Sequence, residues 1–274
     1  LKGCTLTIVV KFLVSPDLNA LPKYEGEKFL KNSLEKVNDS ILSEEALQIN
    51  INDEPFTVIM RTPFQENDMV RGLLFCEDIY TKKEPLSFTK VKKNHLGYIV
   101  EVNVEINSSN LSKGYLGSRS LLSVSSCGIC GKRELGDLTV SGDPLLGFDF
   151  PIKQISMMQA SMVENQRFFK LTGGSHAAAA FDTAGQLLIL REDVGRHNAV
   201  DKVVGGMLNS SIDSAKFLLV SGRVSYEIIT KVFRAKIPVL IAVSAPSSLA
   251  IDYAKELGIR LYAFCRDGKS TRYS

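Results

Sequence analysis

The sequence predicts an α/β protein: a layered sheet with helices on both faces, plus a smaller β-rich N-terminal unit. Two patterns carry this. Beyond residue 176, short continuous apolar strands alternate with amphipathic helices, the signature of a buried parallel sheet. Between residues 46 and 110, the apolar positions instead recur every second residue, as in half-buried strands. A Ser- and Gly-containing stretch separates the two. The chain therefore divides into an N-terminal extension (1–45), a β-rich subdomain (46–110), a flexible loop and linker (111–150) and an α/β domain (151–274).

Taken in order, Glu27 to Ile41 is polar with scattered apolar positions and reads as a surface helix or a mobile extension. Leu47 to Ile51 alternates strictly, Asn52-Asp53-Glu54 makes a turn, and Pro55 to Met60 returns, which predicts a hairpin. Asp68 to Phe75 is a short helix, and Ile99 to Ile106 alternates again. A second hairpin pairs Ala177–Phe181 with Gln186–Leu190 across Asp182-Thr183-Ala184-Gly185. Helices follow over Asn198–Leu208, Ser225–Ala235 and Ser247–Leu257, the last ended by Gly258. The strands between and after them are Phe217–Val220, Pro238–Val243 and Ile259–Phe264. Right-handed crossovers would make these three parallel.

Composition narrows the function. With 274 residues, 45% hydrophobic and 23% charged, this is an ordinary globular composition. A net charge of +3 is too small to argue for nucleic acid. No run is long enough to span a membrane as a helix. Leu1-Lys2-Gly3-Cys4 and the run Leu6–Val14 have the flavour of an export signal, but Lys11 interrupts the apolar run and no apolar segment precedes Cys4. Five irregularly spaced cysteines in so long a chain favour a reducing compartment, so a cytoplasmic protein is expected.

The chemistry centres on Ser126-Cys127-Gly128-Ile129-Cys130-Gly131, two thiols two residues apart on a loop. Such a pair serves a metal, a dithiol–disulfide couple or a carried sulfur atom. Structural zinc needs two further ligands, and no second CxxC or spaced His pair exists, so no structural metal is expected. The zinc deaminase pattern also fails: Ser126 stands where a Pro would precede the thiols, and His95-Leu96-Gly97 lacks its Glu. A thioredoxin-like couple wants a helix after the thiols, and Gly131 to Gly136 makes a poor one. A sulfur carrier needs one accessible thiolate, and Lys132 and Arg133 would favour an anionic sulfur.

A second site is expected beyond the carboxyl ends of the strands, where open α/β sheets bind ligands. The loops there are Arg191 to Asn198, Ser221 to Ser225, Ser244 to Ser248 and Cys265 to Ser270. They repeat Ser hydroxyls and Gly, with an Arg in three of the four, a chemistry suited to phosphate. Strand ends and helix caps use Ser, Gly and Pro anyway, so the composition alone leaves the plain structural reading open. Thr172-Gly173-Gly174-Ser175-His176 either lines the same edge or makes a turn. His197 lies in a charged loop, which speaks against a core position and leaves helix capping or a salt bridge open. No Walker A or GxGxxG sequence follows a strand.

The motifs SSCGICG (125–131), TGGSHAAAAFD (172–182), REDVGRHNAVDKVVG (191–205), SGRVSYEIITKV (221–232) and SAPSSLAIDYAKELGI (244–259) together resemble FdhD, the formate dehydrogenase accessory sulfurtransferase family. The resemblance runs from about residue 46 to the C-terminus and implies a cytidine-deaminase-like fold without the zinc site. It also implies a cytoplasmic sulfur carrier that takes persulfide sulfur from a cysteine desulfurase. The acceptor would be the molybdenum or tungsten bis(molybdopterin guanine dinucleotide) cofactor, a bound substrate destined for formate dehydrogenase. On the matching positions, Cys127 carries the persulfide and Cys130 assists. The cofactor segment falls on Phe264, Cys265, Arg266, Asp267, Gly268 and Lys269, with Arg223 and His197 from the neighbouring loops, which makes 151–274 the cofactor-binding domain. A homodimer is implied, and neither nucleic acid nor membrane is an expected partner. The rival readings are a molybdopterin-cofactor chaperone without sulfur chemistry, and a CxxC zinc or redox protein.

Overall fold

The computed structural model describes residues 21–112, Tyr115, Val140 and residues 142–274. Cys127 and Cys130 lie outside the described residues. Three sheets are present among those described. The first is an antiparallel hairpin of β1 (Lys23–Phe29) and β2 (Leu34–Ser40). The second contains β3 (Glu45–Ile51), β4 (Glu54–Arg61), β5 (Phe88–Lys93) and β6 (Ile99–Val104) in the order β4-β3-β6-β5. The third contains β7 (His176–Phe181), β8 (Leu187–Asp193), β9 (Phe217–Val220), β10 (Val239–Ala242), β11 (Arg260–Arg266) and β12 (Lys269–Arg272). Its order is β12-β11-β10-β9-β7-β8. As the sequence predicts, β9, β10 and β11 are parallel. Its other strands break the pattern: β7 runs antiparallel to this trio, β8 pairs antiparallel with β7 and so returns to the trio's direction, and β12 folds back on β11.

The helices are α1 (Glu66–Cys76), α2 (Lys153–Asn165), α3 (Arg167–Thr172), α4 (Arg196–Asn209), α5 (Tyr226–Arg234) and α6 (Ser248–Glu256). Side-chain alternation along the third sheet separates two cores. Ala178, Ala180, Leu218, Val220, Leu240, Ala242, Leu261 and Ala263 pack with α4, α5 and α6. Ala177, Ala179, Phe181, Phe217, Leu219, Val239, Ile241 and Tyr262 pack with Ile155, Met158 and Met162 of α2. Residues 142–150 form no helix or strand, yet they are pinned to the body. Leu145 N–H donates to Leu257 O (2.8 Å), and the Phe150 ring meets Phe217 edge-on with centroids 4.8 Å apart.

Glu27 to Ile41 is where the sequence expectation of a helix or loose extension fails. That stretch belongs to the β1–β2 hairpin, turned at Leu30–Ser33 by an N–H bond of 2.8 Å. Almost every side chain on it is exposed, so no apolar stripe exists to reveal the two-residue period. Cross-strand pairs of opposite charge, Lys28 with Glu35 and Glu27 with Lys36, fix its register.

The second and third sheets are joined through α1 and α4. Residues His197 to Met207 of α4 are all buried, because α4 lies between β7–β8 and α1. The helices cross at Gly72 and Gly205, where a Cβ on either would come within 1.8 Å of a carbonyl oxygen of the other helix. Polar clamps flank the crossing. Arg191 holds Asp68 Oδ2 through Nε (2.9 Å) and Nη2 (2.7 Å), and Lys231 holds Asp201 at 2.6 Å.

Candidate functional site

Because β7 is antiparallel to β9, the start of β7 lies beside the end of β9, next to the end of β8. The edge that carries the strand ends therefore gathers Ser175 and His176, Asp193 to His197, Ser221 to Ser225, Ser244 to Ser247 and Phe264 onward. Backbone bonds step along it. Ser221 N–H donates to Ala177 O (3.0 Å), Val243 N–H to Val220 O (3.0 Å) and Phe264 N–H to Ser244 O (3.2 Å). The Arg223 loop is tied to the next one by Val224 N–H to Ala245 O (3.0 Å) and Ser247 N–H to Val224 O (2.9 Å). Ser247 then caps α6, its Oγ accepting the Ala250 N–H at 3.2 Å.

The seat of α4 is built from buried charge. Asp193 is fully buried and accepts from Gly195 N, Asn198 Nδ2, Thr62 N and Lys202 Nζ at 2.8 to 3.1 Å. Lys202 also donates to Thr62 O (2.8 Å), and Asn198 to Met60 O (2.8 Å). A buried ion pair survives only when its remaining donors and acceptors are met, as here. Glu192, next along β8, accepts the N–H groups of Phe168 (2.9 Å) and Phe169 (2.8 Å) and the hydroxyl of Ser175 (2.7 Å). These carboxylates are consumed by the fold.

Most of the arginines divide accordingly, whereas Arg71 donates to the carbonyl oxygens of Tyr80 and Lys82. Arg61, Arg191, Arg234 and Arg260 each pair with a carboxylate at 2.7 to 3.2 Å. The guanidiniums of Arg196, Arg223 and Arg266, and of Arg272 on β12, have no ion pair among the described residues. Three of these four lie on the strand-end edge. Arg196 Nε is buried with no hydrogen-bond partner. On the same edge His176 is half-buried, and its protonation is disfavoured first by burial and then by Arg196, with Asp193 opposing and Arg223 adding a smaller part.

The residues expected from sequence fall as follows. Arg223 is exposed on the β9–α5 loop. His197 is buried, 5% exposed, contrary to the expectation drawn from its charged surroundings; its Nε2 lies 3.2 Å from Ser225 Oγ and 3.9 Å from Glu227 Oε2. Phe264 to Lys269 is no helix-terminal loop. β11 continues to Arg266, and Asp267 (φ 53°) and Gly268 (φ 71°) form a tight turn into β12. Phe264 is part-exposed at 38%, whereas Cys265 is wholly buried, with burial pushing its thiol up to about 11. Cys76 is buried too, against Asp201, and its thiol is likewise raised. Sequence reasoning passed over Thr62, whose part in seating α4 depends on a contact 131 residues away. It also gave Arg196 no role of its own; the signal available was an Arg opening a helix just after a strand end. Among the described residues, no group of three His, Cys, Asp or Glu is placed to hold a metal, and no helix is long and apolar enough to cross a membrane.

Comparisons with known proteins agree with one another. A profile of the FdhD/NarQ family matches residues 42–274. The chain is 36% identical over 258 residues to a protein of Sulfurisphaera tokodaii named sulfur carrier protein FdhD, covering 89% of this chain and 94% of the relative. Relatives of the same name from Streptomyces coelicolor and Mycobacterium tuberculosis are each 37% identical, covering 86% of this chain and 87% and 90% of their own lengths. The fold is similar to a crystal structure described as that of a formate dehydrogenase accessory protein from Desulfotalea psychrophila. Its TM-score is 0.69 at 20% identity, covering 93% of this chain and 96% of the other.

Proposed function

Because the chain belongs to the FdhD/NarQ family, we propose that it is a sulfur carrier in the maturation of formate dehydrogenase. The single observation in the fold that carries the ligand side of this reading is the row of unpaired arginines, Arg196, Arg223 and Arg266, along one sheet edge. Guanidiniums without carboxylate partners are open to bidentate contact with an external phosphate.

In this reading Cys127 attacks the outer sulfur of a persulfide on a cysteine desulfurase. The S–S bond of the donor breaks, the desulfurase leaves as its thiolate, and Cys127 holds the sulfur as Cys–S–SH. The Cys130 thiolate then attacks the inner sulfur of Cys127, the persulfide S–S bond breaks, and the outer sulfur leaves as hydrosulfide for the molybdenum or tungsten bis(molybdopterin guanine dinucleotide) substrate, leaving a Cys127–Cys130 disulfide that an external thiol reduces. The diphosphate groups of that substrate are the anions the edge would hold, with Arg223, Arg266 and Lys269 contributing charge and Phe264 an exposed ring. His197 acts at one remove by holding Ser225. The same reading carries a cytidine-deaminase-like layering of the α/β domain, a cytoplasmic location and a homodimer.

Intact-mass measurement after incubation with a desulfurase and cysteine tests the mechanism. The wild type should gain one sulfur, and Cys127→Ala should neither gain it nor support formate dehydrogenase activity. A Cys127→Ala protein that still activates the enzyme would leave the unpaired arginine edge as the working part and make the protein a cofactor chaperone.

A further inference from the structure

We propose that a second copy of this chain docks on the outward face of α2, the two α2 helices packing antiparallel about a two-fold axis. A homodimer belongs to the sulfur-carrier reading, on which this rests; the surface that joins the copies comes from α2 itself.

Along α2, Ile155, Met158 and Met162 turn inward onto the sheet, each at most 2% exposed. The opposite face carries Lys153, Met157, Ala160 and Glu164, all exposed, at spacings of four, three and four residues. That is the seam spacing of a coiled coil, and its two middle positions are apolar. A surface helix ordinarily turns polar residues to water. Met157 is instead 60% exposed, with Val163 beside the seam at 59% and Ile152 at the helix start at 55%. Apolar side chains exposed singly are ordinary, whereas a row of them on one helix face marks a contact surface.

The charges on the seam are the wrong way round for their own helix. Lys153 opens α2 and Glu164 stands next to its last residue, so a cation sits at the positive end of the helix dipole and an anion at the negative end. The first turn holds no acid and the last turn no base. Neither Lys153 nor Glu164 has an ion pair among the described residues. Lys170 answers only the main chain of Glu164, donating to its carbonyl oxygen at 2.7 Å. An antiparallel partner reverses every sign. Lys153 then faces Glu164 of the partner subunit at the negative end of that helix, and Glu164 faces the partner subunit's Lys153 at the positive end.

The same register closes the middle of the seam. It sets Met157 against Ala160 of the partner subunit, twice by symmetry, a long flexible side chain over a methyl group, so the helix axes can come close. Parallel packing would oppose Lys153 to its own copy and Glu164 to its own, which like charges disfavour. At 13 residues α2 is about 20 Å long, so the contact is smaller than a standard interface and association should depend on concentration.

Sedimentation velocity of the full chain over a range of concentrations tests this. The wild type should pass from monomer to dimer as concentration rises. Lys153→Glu and Glu164→Lys each bring like charges together at both ends of the seam, and each should weaken the dimer by roughly tenfold or more. Mixing these two variants should restore it as a heterodimer, because every facing pair is then opposite in sign. Both substitutions suit the dipole of α2 itself, so a lost dimer is not a sign of an unfolded chain. Met157→Asp, at an exposed position, should abolish self-association. Carbodiimide coupling of the wild type should yield an amide between Lys153 and Glu164; within one helix they are about 16 Å apart, so that product joins two chains. A dimer that all three substitutions leave unchanged overturns this surface and keeps the homodimer. A chain that is monomeric at every concentration overturns both and leaves the stripe to a different protein. Sulfur loading of Cys127 is read separately by mass, so loss of the interface and loss of the sulfur-carrier reading are distinct results.

Discussion

Replacing Gly205 by Ala tests the joint between the two larger sheets, and two opposing effects make its sign informative. In an isolated helix the change is favourable by about 0.5–1 kcal/mol, because Gly has more backbone freedom to lose. At this crossing the new methyl would sit 1.8 Å from Asp68 O and 2.6 Å from Gly72 N. Nonbonded heavy atoms rest about 3.5 Å apart, so the helices would have to part by roughly 1.5 Å. The obstructing atoms are main chain on a helix whose Met69, Val70 and Leu74 are fully buried, so no side-chain rotation relieves them. Overpacking of this kind costs about 1–3 kcal/mol and more where backbone must move. The net expectation is a loss of about 2 kcal/mol, or a fall of about 4–8 °C in Tm for a domain of this size. Differential scanning calorimetry reads it directly. Gly206→Ala is the control, because its nearest contact, 2.4 Å, is the Cδ1 end of the Ile189 side chain rather than main chain. A Gly205→Ala protein more stable than wild type would mean that α1 and α4 do not cross here, and the account of how the sheets are joined would fall.

Two further outcomes follow from burial and charge. Iodoacetamide applied to the native protein at pH 8 should leave Cys76 and Cys265 unmodified in peptide maps, since both are buried and their thiols are raised, that of Cys265 to about 11. Labelling of native Cys265 would show that the end of β11 opens. His176 has its folded pKa below its unfolded value, so the folded state resists a proton that the unfolded chain accepts. Its stabilising contribution is full above the unfolded value near 6.5 and is lost as pH falls from there through the folded value. Between pH 7 and pH 5, Tm should therefore drop more for wild type than for His176→Gln.

Much of the fold was legible because burial imposed a period on the sequence. Phe217–Val220 is apolar at all four positions and is β9 to the residue, because the strand is buried on both faces. The hairpin of β3 and β4 announced itself through alternation and an Asn-Asp turn, both residues of which adopt positive φ, 53° and 66°. Elements without a buried face were silent. β5 reads Phe-Thr-Lys-Val-Lys-Lys, five of its six residues exposed, as befits a charged sheet edge. β12 is four residues long and none is buried, so nothing in its sequence separates it from a tail. At the candidate site, the strand-end rule led to Arg223 and the neighbouring loops. That rule says nothing of the beginning of a strand, so Thr172 to His176 stayed open between the edge and a plain turn, and it is the antiparallel β7 that brings His176 there. Nor does the pattern around His197 say that its ring turns inward; that depends on Ser225 and Glu227 arriving from 28 and 30 residues away.

The seat of α4 bears on which sequence changes the protein tolerates. Met60 accepts the Asn198 bond through its carbonyl oxygen, and Thr62 meets Asp193 and Lys202 through its N–H and C=O. Its hydroxyl adds one further bond, from Val194 N–H at 3.0 Å. Nearly any amino acid supplies those main-chain groups. Substitutions at position 60, where the side chain is 37% exposed, should drift freely while the atoms that orient the helix stay constant. Variation on one side of this contact and constraint on the other, at Asp193, Asn198 and Lys202, is the asymmetry to expect when sequences of the family are aligned. A reader of conservation alone would then assign the whole structure to the second half of the chain and overlook the strand on which it rests.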